Sequence, residues 1–335
     1  MSRSLIALAA LSIAVATTFI SLQAQAVQRT HVSAGFGSDA NTATNCAAAA
    51  PCRFFTAAMT VTDPNGEVIV LDSGGYGAVT ITQSVALIAP TGVYAGISVF
   101  PGADGVTIAT PGVNVVLRGL SINGQGGNNG ISMTAGNRLT VENCVISNLS
   151  GAGILVNAAA TVRVTDSIVR DNGAHGIYLL NNVKATITRA VVSGNNFGIY
   201  LSGNIAGTSI ADIADSTVDG NSYGIVTLSN NAAAIIKLSV RDSRIVSNLY
   251  YGLIAQSNNG AASILTASNN MVSNNAYGFG ASNPGAKIIS TGNTVTGNAN
   301  AGFSNNGGVF ESAGNNTVRD NGSAYIGTIT AVGTL

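Results

Sequence analysis

The sequence predicts an all-β solenoid built from stacked parallel coils, and three observations predict it. An apolar-x-x-Asn phrase recurs along the chain, ending at Asn148, Asn172, Asn195, Asn221, Asn248, Asn274, Asn298 and Asn321, with successive asparagines 24, 23, 26, 27, 26, 24 and 23 residues apart. A Gly-apolar pair keeps step with it, from Gly130-Ile131 and Gly153-Ile154 to Gly278-Phe279 and Gly302-Phe303. Within each repeat the apolar residues alternate in short runs (TVRVTDSIV, ATITRAVV, IIKLSVRDSRIV), the period of a half-buried strand. Two or three short strands cannot bury one face alone, whereas stacked copies can.

The elements follow in chain order. Residues 1–26 read as a signal peptide: Arg3 supplies the positive start, Leu5 to Leu22 the apolar run, and Ala24-Gln25-Ala26 the cleavage site, so that the mature chain starts at Val27. The run is long for a signal, and an uncleaved anchor is the alternative. No later segment has the composition of a membrane span, so the expected location is secreted or periplasmic. Residues 27–63 read as an N-terminal cap. Cys46 and Cys52 would close a short disulfide loop in an oxidising compartment. CRFFTAAMTVT reads as a short amphipathic helix that covers the open strand edges of the first coil. Cys144 reads as a small core residue, and three cysteines at these spacings make no zinc site.

Residues 64–335 form the stack, with regular repeats over about 130–323. Its upstream strands are EVIVLD, AVTIT, VALIA, GISVF, GVTIAT and NVVLRGLSING, and AYIGTITAVGTL supplies the last coil or a weak cap. The repeated asparagines are read as a structural ladder whose side-chain amides bond from coil to coil. Charged residues are only 8% of the chain, with 14 Lys+Arg against 14 Asp+Glu, and no clustered basic footprint of the nucleic-acid-binding kind is visible.

The N-x-x-x-G-I phrases and VLRGLSINGQGGNNGI (116–131) resemble the pectin-lyase-like superfamily over roughly residues 64 to 323. That resemblance implies a right-handed single-stranded parallel β-helix with an N-terminal cap. It also implies a carbohydrate partner, a polysaccharide or cell-surface glycan, because most characterised members bind or act on acidic polysaccharides. The fold hosts many chemistries, so activity has to be read from residues.

Those residues give no complete catalytic set. Polygalacturonase-like members carry Asn-Thr-Asp, Asp-Asp, Gly-His-Gly and Arg-Ile-Lys. Here the first two are absent, Ala174-His175-Gly176 approximates the third, and Arg244-Ile245-Val246 departs from the fourth. His175, Asp171 four residues before it, and Arg189 are the candidates for catalysis. Pectate-lyase-like members use calcium and an arginine base. Alignment on the repeat places Glu142, Asp166, Arg189, Asp215 and Asp242 in one column, with Asp215 and Asp242 the candidate Ca2+ ligands. Turn chemistry is the competing reading, since Asp-Ser at a corner is ordinary. No other cofactor is indicated.

A second column, Ser132, Leu155, Tyr178, Tyr200, Val226, Ile254, Gly280 and Ser304, should point outward as a partly apolar strip. It could stack sugar rings, bind a partner or a second copy, or be covered by the chain itself. Tyr178, Tyr200, Arg163 and Arg189 are the candidate substrate-binding residues, with Arg170 and Lys184 nearby in sequence. His175 also heads a column of planar rings continued by Phe197, Tyr223, Tyr251 and Tyr277. Two functions follow: an exported protein that binds or processes an acidic polysaccharide on the lateral face, or a non-catalytic structural, surface or adhesion-type protein.

Overall fold

A computed structural model describes residues 27–333. The signal-peptide reading of residues 1–26 falls outside them. The chain winds as a right-handed parallel β-solenoid of about 11 turns. Three parallel sheets form its sides: sheet 1 with 13 strands, and sheets 2 and 3 with 11 each. One coil shows the plan. Thr161–Thr165 lies in sheet 1, Ile168–Arg170 in sheet 2 and His175–Leu180 in sheet 3, and the next coil repeats this from Lys184–Thr188. No described helix is long and apolar enough to cross a membrane.

The core is columnar because the register is in phase. Ile131, Ile154, Ile177, Ile199, Ile225, Leu253, Phe279 and Phe303 pair successively in sheet 3. All are buried. Each such side chain contributes about 1.5–3 kcal/mol by leaving water. The glycine that precedes each of these residues is needed for close approach. At Gly176 a Cβ would stand 2.5 Å from Val192 Cγ1 and 2.6 Å from the Gly198 carbonyl oxygen.

Two corners turn through left-handed backbone. The corner from sheet 1 to sheet 2 uses Asn143, Asp166, Arg189, Asp215, Asp242 and Asn269, with φ between 49° and 55°. Glu142 is not among them. It pairs with Thr165 inside sheet 1, so the sequence column was one residue out of phase there. The corner from sheet 2 to sheet 3 uses Asn148, Asp171, Gly194, Gly220, Ser247 and Asn274.

The main ladder lies one residue further on. It runs Asn172, Asn195, Asn221, Asn248, Asn275, Asn298 and Asn321, and each side-chain amide donates to the next Oδ1 at 2.8–3.1 Å. Each Oδ1 also accepts the backbone N–H of the preceding coil, beginning with Leu149. Asn148 and Asn274 therefore leave the expected ladder. They are corner residues, and Asn148 donates instead to Asn123. A second ladder, Asn270–Asn293–Asn316, buried at its first two members, continues a file of serines (Ser216, Ser243) beside the other corner.

At the N-terminal end, Val27–Val32 pairs in parallel with Thr62–Val70 as the first strand of sheet 1. Cys46 and Cys52 form a disulfide. The short helix Phe55–Met59 buries Phe55, Ala58 and Met59. The Asp72 carboxylate ties this end down. It accepts from Ser33 Oγ (2.8 Å), the Ala34 and Gly35 N–H groups (2.6 and 2.8 Å) and the Tyr76 hydroxyl (2.5 Å). Burial opposes its ionisation, but these donors outweigh that and hold it down to about 2. At the other end Tyr325–Ile326 and Thr330–Val332 add the last strands of sheets 3 and 1.

Candidate functional site

The outer surfaces of sheets 1 and 3 and the two left-handed corners carry the candidate residues, and they are separate places. Sheet 3 bears the rings. His175, Phe197, Tyr223, Tyr251 and Tyr277 stack from coil to coil with centroids 5.2, 5.0, 6.4 and 4.7 Å apart. Tyr178 and Tyr200 form a second, shorter file, 5.1 Å apart. The files lean together: His175 stacks on Tyr178 at 4.1 Å and Phe197 on Tyr200 at 5.1 Å. These neighbours occupy ring faces that a sugar would need, so the band is largely satisfied by itself. The strip beyond it is covered too. Val226 and Ile254 are 1% and 3% exposed, and the Tyr251 ring lies across position 280, where a Cβ would meet it at 2.5 Å. At these coils the strip is buried and does not form a free apolar surface.

Among the described residues His175 has no carboxylate partner. Burial alone pushes its imidazole down to about 4, so it is neutral at ordinary pH. Asp171 sits at a left-handed corner and pairs with Arg170. The two do not form an acid–base pair. Burial also raises the hydroxyls of Tyr178 and Tyr200, the latter to about 12.

The corner column places Arg189 on Asp166 in a bidentate pair, Nε to Oδ1 at 2.6 Å and Nη2 to Oδ2 at 2.8 Å. The hydrogen bond from Arg189 holds the Asp166 carboxyl below its usual range and in turn raises the guanidinium. An arginine so engaged is a poor base. The donor set for calcium does not fit either. The Asp166 carboxylate is taken by Arg189 and the Asp242 carboxylate by Arg241. Among the described residues no three His, Cys, Asp or Glu side chains converge. Calcium wants six to eight oxygens, and this corner does not gather them.

Sheet 1 carries a different arrangement, which the linear sequence hid. Arg138, Thr161 and Lys184 pair in register on three consecutive coils, with Thr140, Arg163 and Thr186 beside them. Arg138, Arg163 and Lys184 are exposed, and none is in an ion pair among the described residues. Arg138 and Arg163 border a cleft of about 460 Å³ together with Arg118, Thr140, Glu142, Thr161 and Thr186, and Lys184 lies next to it, paired in register with Thr161. Arg118 is held by Glu142 at 2.7 Å. Tyr178 and Tyr200 lie on sheet 3, Arg163 on sheet 1 and Arg189 at the corner between sheets 1 and 2, so the four expected substrate-binding residues do not share one face.

Residues 60–237 match the family model described as "Right handed beta helix region". The chain belongs to this right-handed β-helix family. Among solved structures, this β-helix protein is similar to the pectate lyase Pel9A (18% identity, TM-score 0.64, 88% of this chain and 79% of that one). It is also similar to the A-module of the mannuronan C-5 epimerase AlgE4 from Azotobacter vinelandii (14% identity, TM-score 0.57, 81% and 89%). At such identities the likeness is one of fold. No curated protein matches this β-helix chain.

Proposed function

We propose that this β-helix protein binds an acidic polysaccharide on the outer face of sheet 1. The observation that carries the reading is the trio Arg138, Arg163 and Lys184, exposed and unpaired at one rigid surface on consecutive coils. Arginine and lysine suit carboxylates, and threonines between them suit sugar hydroxyls. Neighbours in fold that are a pectate lyase and a mannuronan epimerase support a carbohydrate ligand of this charge. The Cys46–Cys52 disulfide supports export to an oxidising, secreted or periplasmic location. The role in this reading is binding: His175, Asp171 and Arg189 are each engaged elsewhere, and Glu142, the carboxylate that borders the cleft, is paired with Arg118.

The test is retardation of the protein in gels containing polygalacturonate, alginate or a neutral glucan. Binding should appear with the acidic polymers, weaken with salt, and fall about tenfold or more in the Arg138→Ser/Arg163→Ser/Lys184→Ser variant. No retardation by any acidic polymer would leave the structural or adhesion-type reading. Release of unsaturated product, seen by ultraviolet absorbance and stopped by a chelator, would show that binding is not the whole function.

A further inference from the structure

The Arg138–Thr161–Lys184 column continues down sheet 1 in unbroken register through Ile210, Lys237, Ile264, Lys287 and Val309. From Lys184 onward a cation alternates with an apolar residue on every coil. Ile210 and Val309 are 39% and 47% exposed. Parallel strands lie ~4.8 Å apart, so the cations recur about every 10 Å along the solenoid axis. The row ends where the Lys287 ammonium pairs with Glu311 at 2.7 Å.

Relief of repulsion between stacked lysines explains why the cations are spaced. It does not explain the residues between them, since any polar side chain would serve, yet positions 210, 264 and 309 hold Ile, Ile and Val. A ligand explains both. In an extended polysaccharide two sugars span about the same distance as two coils. Where alternate sugars face opposite ways, or where only every second sugar is a uronate, carboxylates on one side recur with that period. The sugar between then presents its C–H face.

We propose that sheet 1 holds a linear acidic polysaccharide lengthwise, with the carboxylate of every second sugar on Arg138, Lys184 and Lys237 and the intervening sugars on Thr161, Ile210 and Ile264. The inference rests on the acidic-polysaccharide reading and adds its direction and register. Two ligand sources share this chemistry, a homopolyuronate with two-fold alternation and a copolymer of uronate with a neutral sugar.

The experiment is isothermal titration of the full chain with oligosaccharides of increasing length from each source. Affinity should rise in steps of two sugars, about threefold per step, the scale of one exposed ion pair. Whichever source gives the staircase supports the register and identifies the ligand. Lys237→Ile should remove one step. Ile264→Lys should leave affinity unchanged or lower, because it adds charge where no carboxylate faces. Far-ultraviolet circular dichroism verifies that both variants fold. Equal gains per single sugar, or tighter binding by Ile264→Lys, overturns the register and leaves the acidic-polysaccharide reading standing. Equal binding of single-stranded DNA overturns the register as well, since it makes charge alone sufficient. Failure of every acidic oligomer and polymer to bind overturns both.

Discussion

Asn221 offers the sharpest test of what holds the stack together. Its side-chain amide donates to Asn248 Oδ1, the Val192 carbonyl and the Asp219 carbonyl, each at 3.1 Å. Its Oδ1 accepts from the Asn195 N–H at 3.0 Å and the Asn195 amide at 2.9 Å. The residue is 2% exposed. Asn221→Ala strips partners from groups on three coils. At about 1–3 kcal/mol per buried group left unpaired, and with partial relaxation, the cost is about 3–5 kcal/mol. Asn230 is the control. It also sits in a file of asparagines, donating to Asn204 at 2.8 Å and accepting from Asn258 at 2.7 Å, but that file is on the surface. Water replaces those bonds, so Asn230→Ala should cost under about 1 kcal/mol. Equilibrium unfolding in guanidinium, followed by circular dichroism near the β minimum, compares the two midpoints. Amide exchange at Asn195 reports local loosening, since a solenoid need not unfold as one unit. Equal midpoints for the two variants would refute the claim that burial, rather than the mere presence of an amide file, makes the ladder stabilising.

Two further outcomes depend on titration. The His175 imidazole is depressed from 6.5 to about 4, so the stability it confers is present above pH 6.5 and is lost as pH falls toward 4. With allowance for solvent screening this amounts to roughly 1–2 kcal/mol. His175→Phe, which copies Phe197 of the next coil, should flatten the stability profile between pH 6.5 and 4.5, and an unchanged slope would move the titration to another group. Asp72, depressed from 3.8 to about 2, confers stability that is present above pH 3.8 and lost as pH falls through about 2. Asp72→Ala should expose Ser33–Gly35 to limited proteolysis at neutral pH while the central coils stay protected, and uniform resistance would show that the disulfide and the Phe55–Met59 helix suffice.

The architecture was legible because repetition multiplies a weak signal. A three-residue strand such as Ile168–Arg170 is invisible alone, but eight copies in step are not. Phase was harder. The apolar-x-x-Asn phrase admits two apolar starts in some coils, Val145 or Ile146 and Met271 or Val272, and it locks onto whichever asparagine is present. In the coil of Asn148 the ladder position holds Leu149, and in the coil of Asn274 and Asn275 two asparagines compete. Both slips come from one physical fact: asparagine suits the left-handed corner as well as the ladder beside it. The same slip carried Glu142 into the acidic column.

The surface was less legible for a reason of geometry. Arg138, Lys184, Lys237 and Lys287 are each about fifty residues from the next, so any window along the sequence finds a chain poor in charge. In the solenoid that separation is two coils, and four scattered cations become a row about 30 Å long. Tyr178 and Arg163 show the converse error. They are fifteen residues apart and belong to one coil, yet they sit on different sheets. In this fold proximity along the chain means a change of face, whereas proximity on one face requires whole repeats between residues. A binding surface must then be sought at multiples of the repeat. The alternation of Lys and Ile along sheet 1 emerges only when that rule is applied.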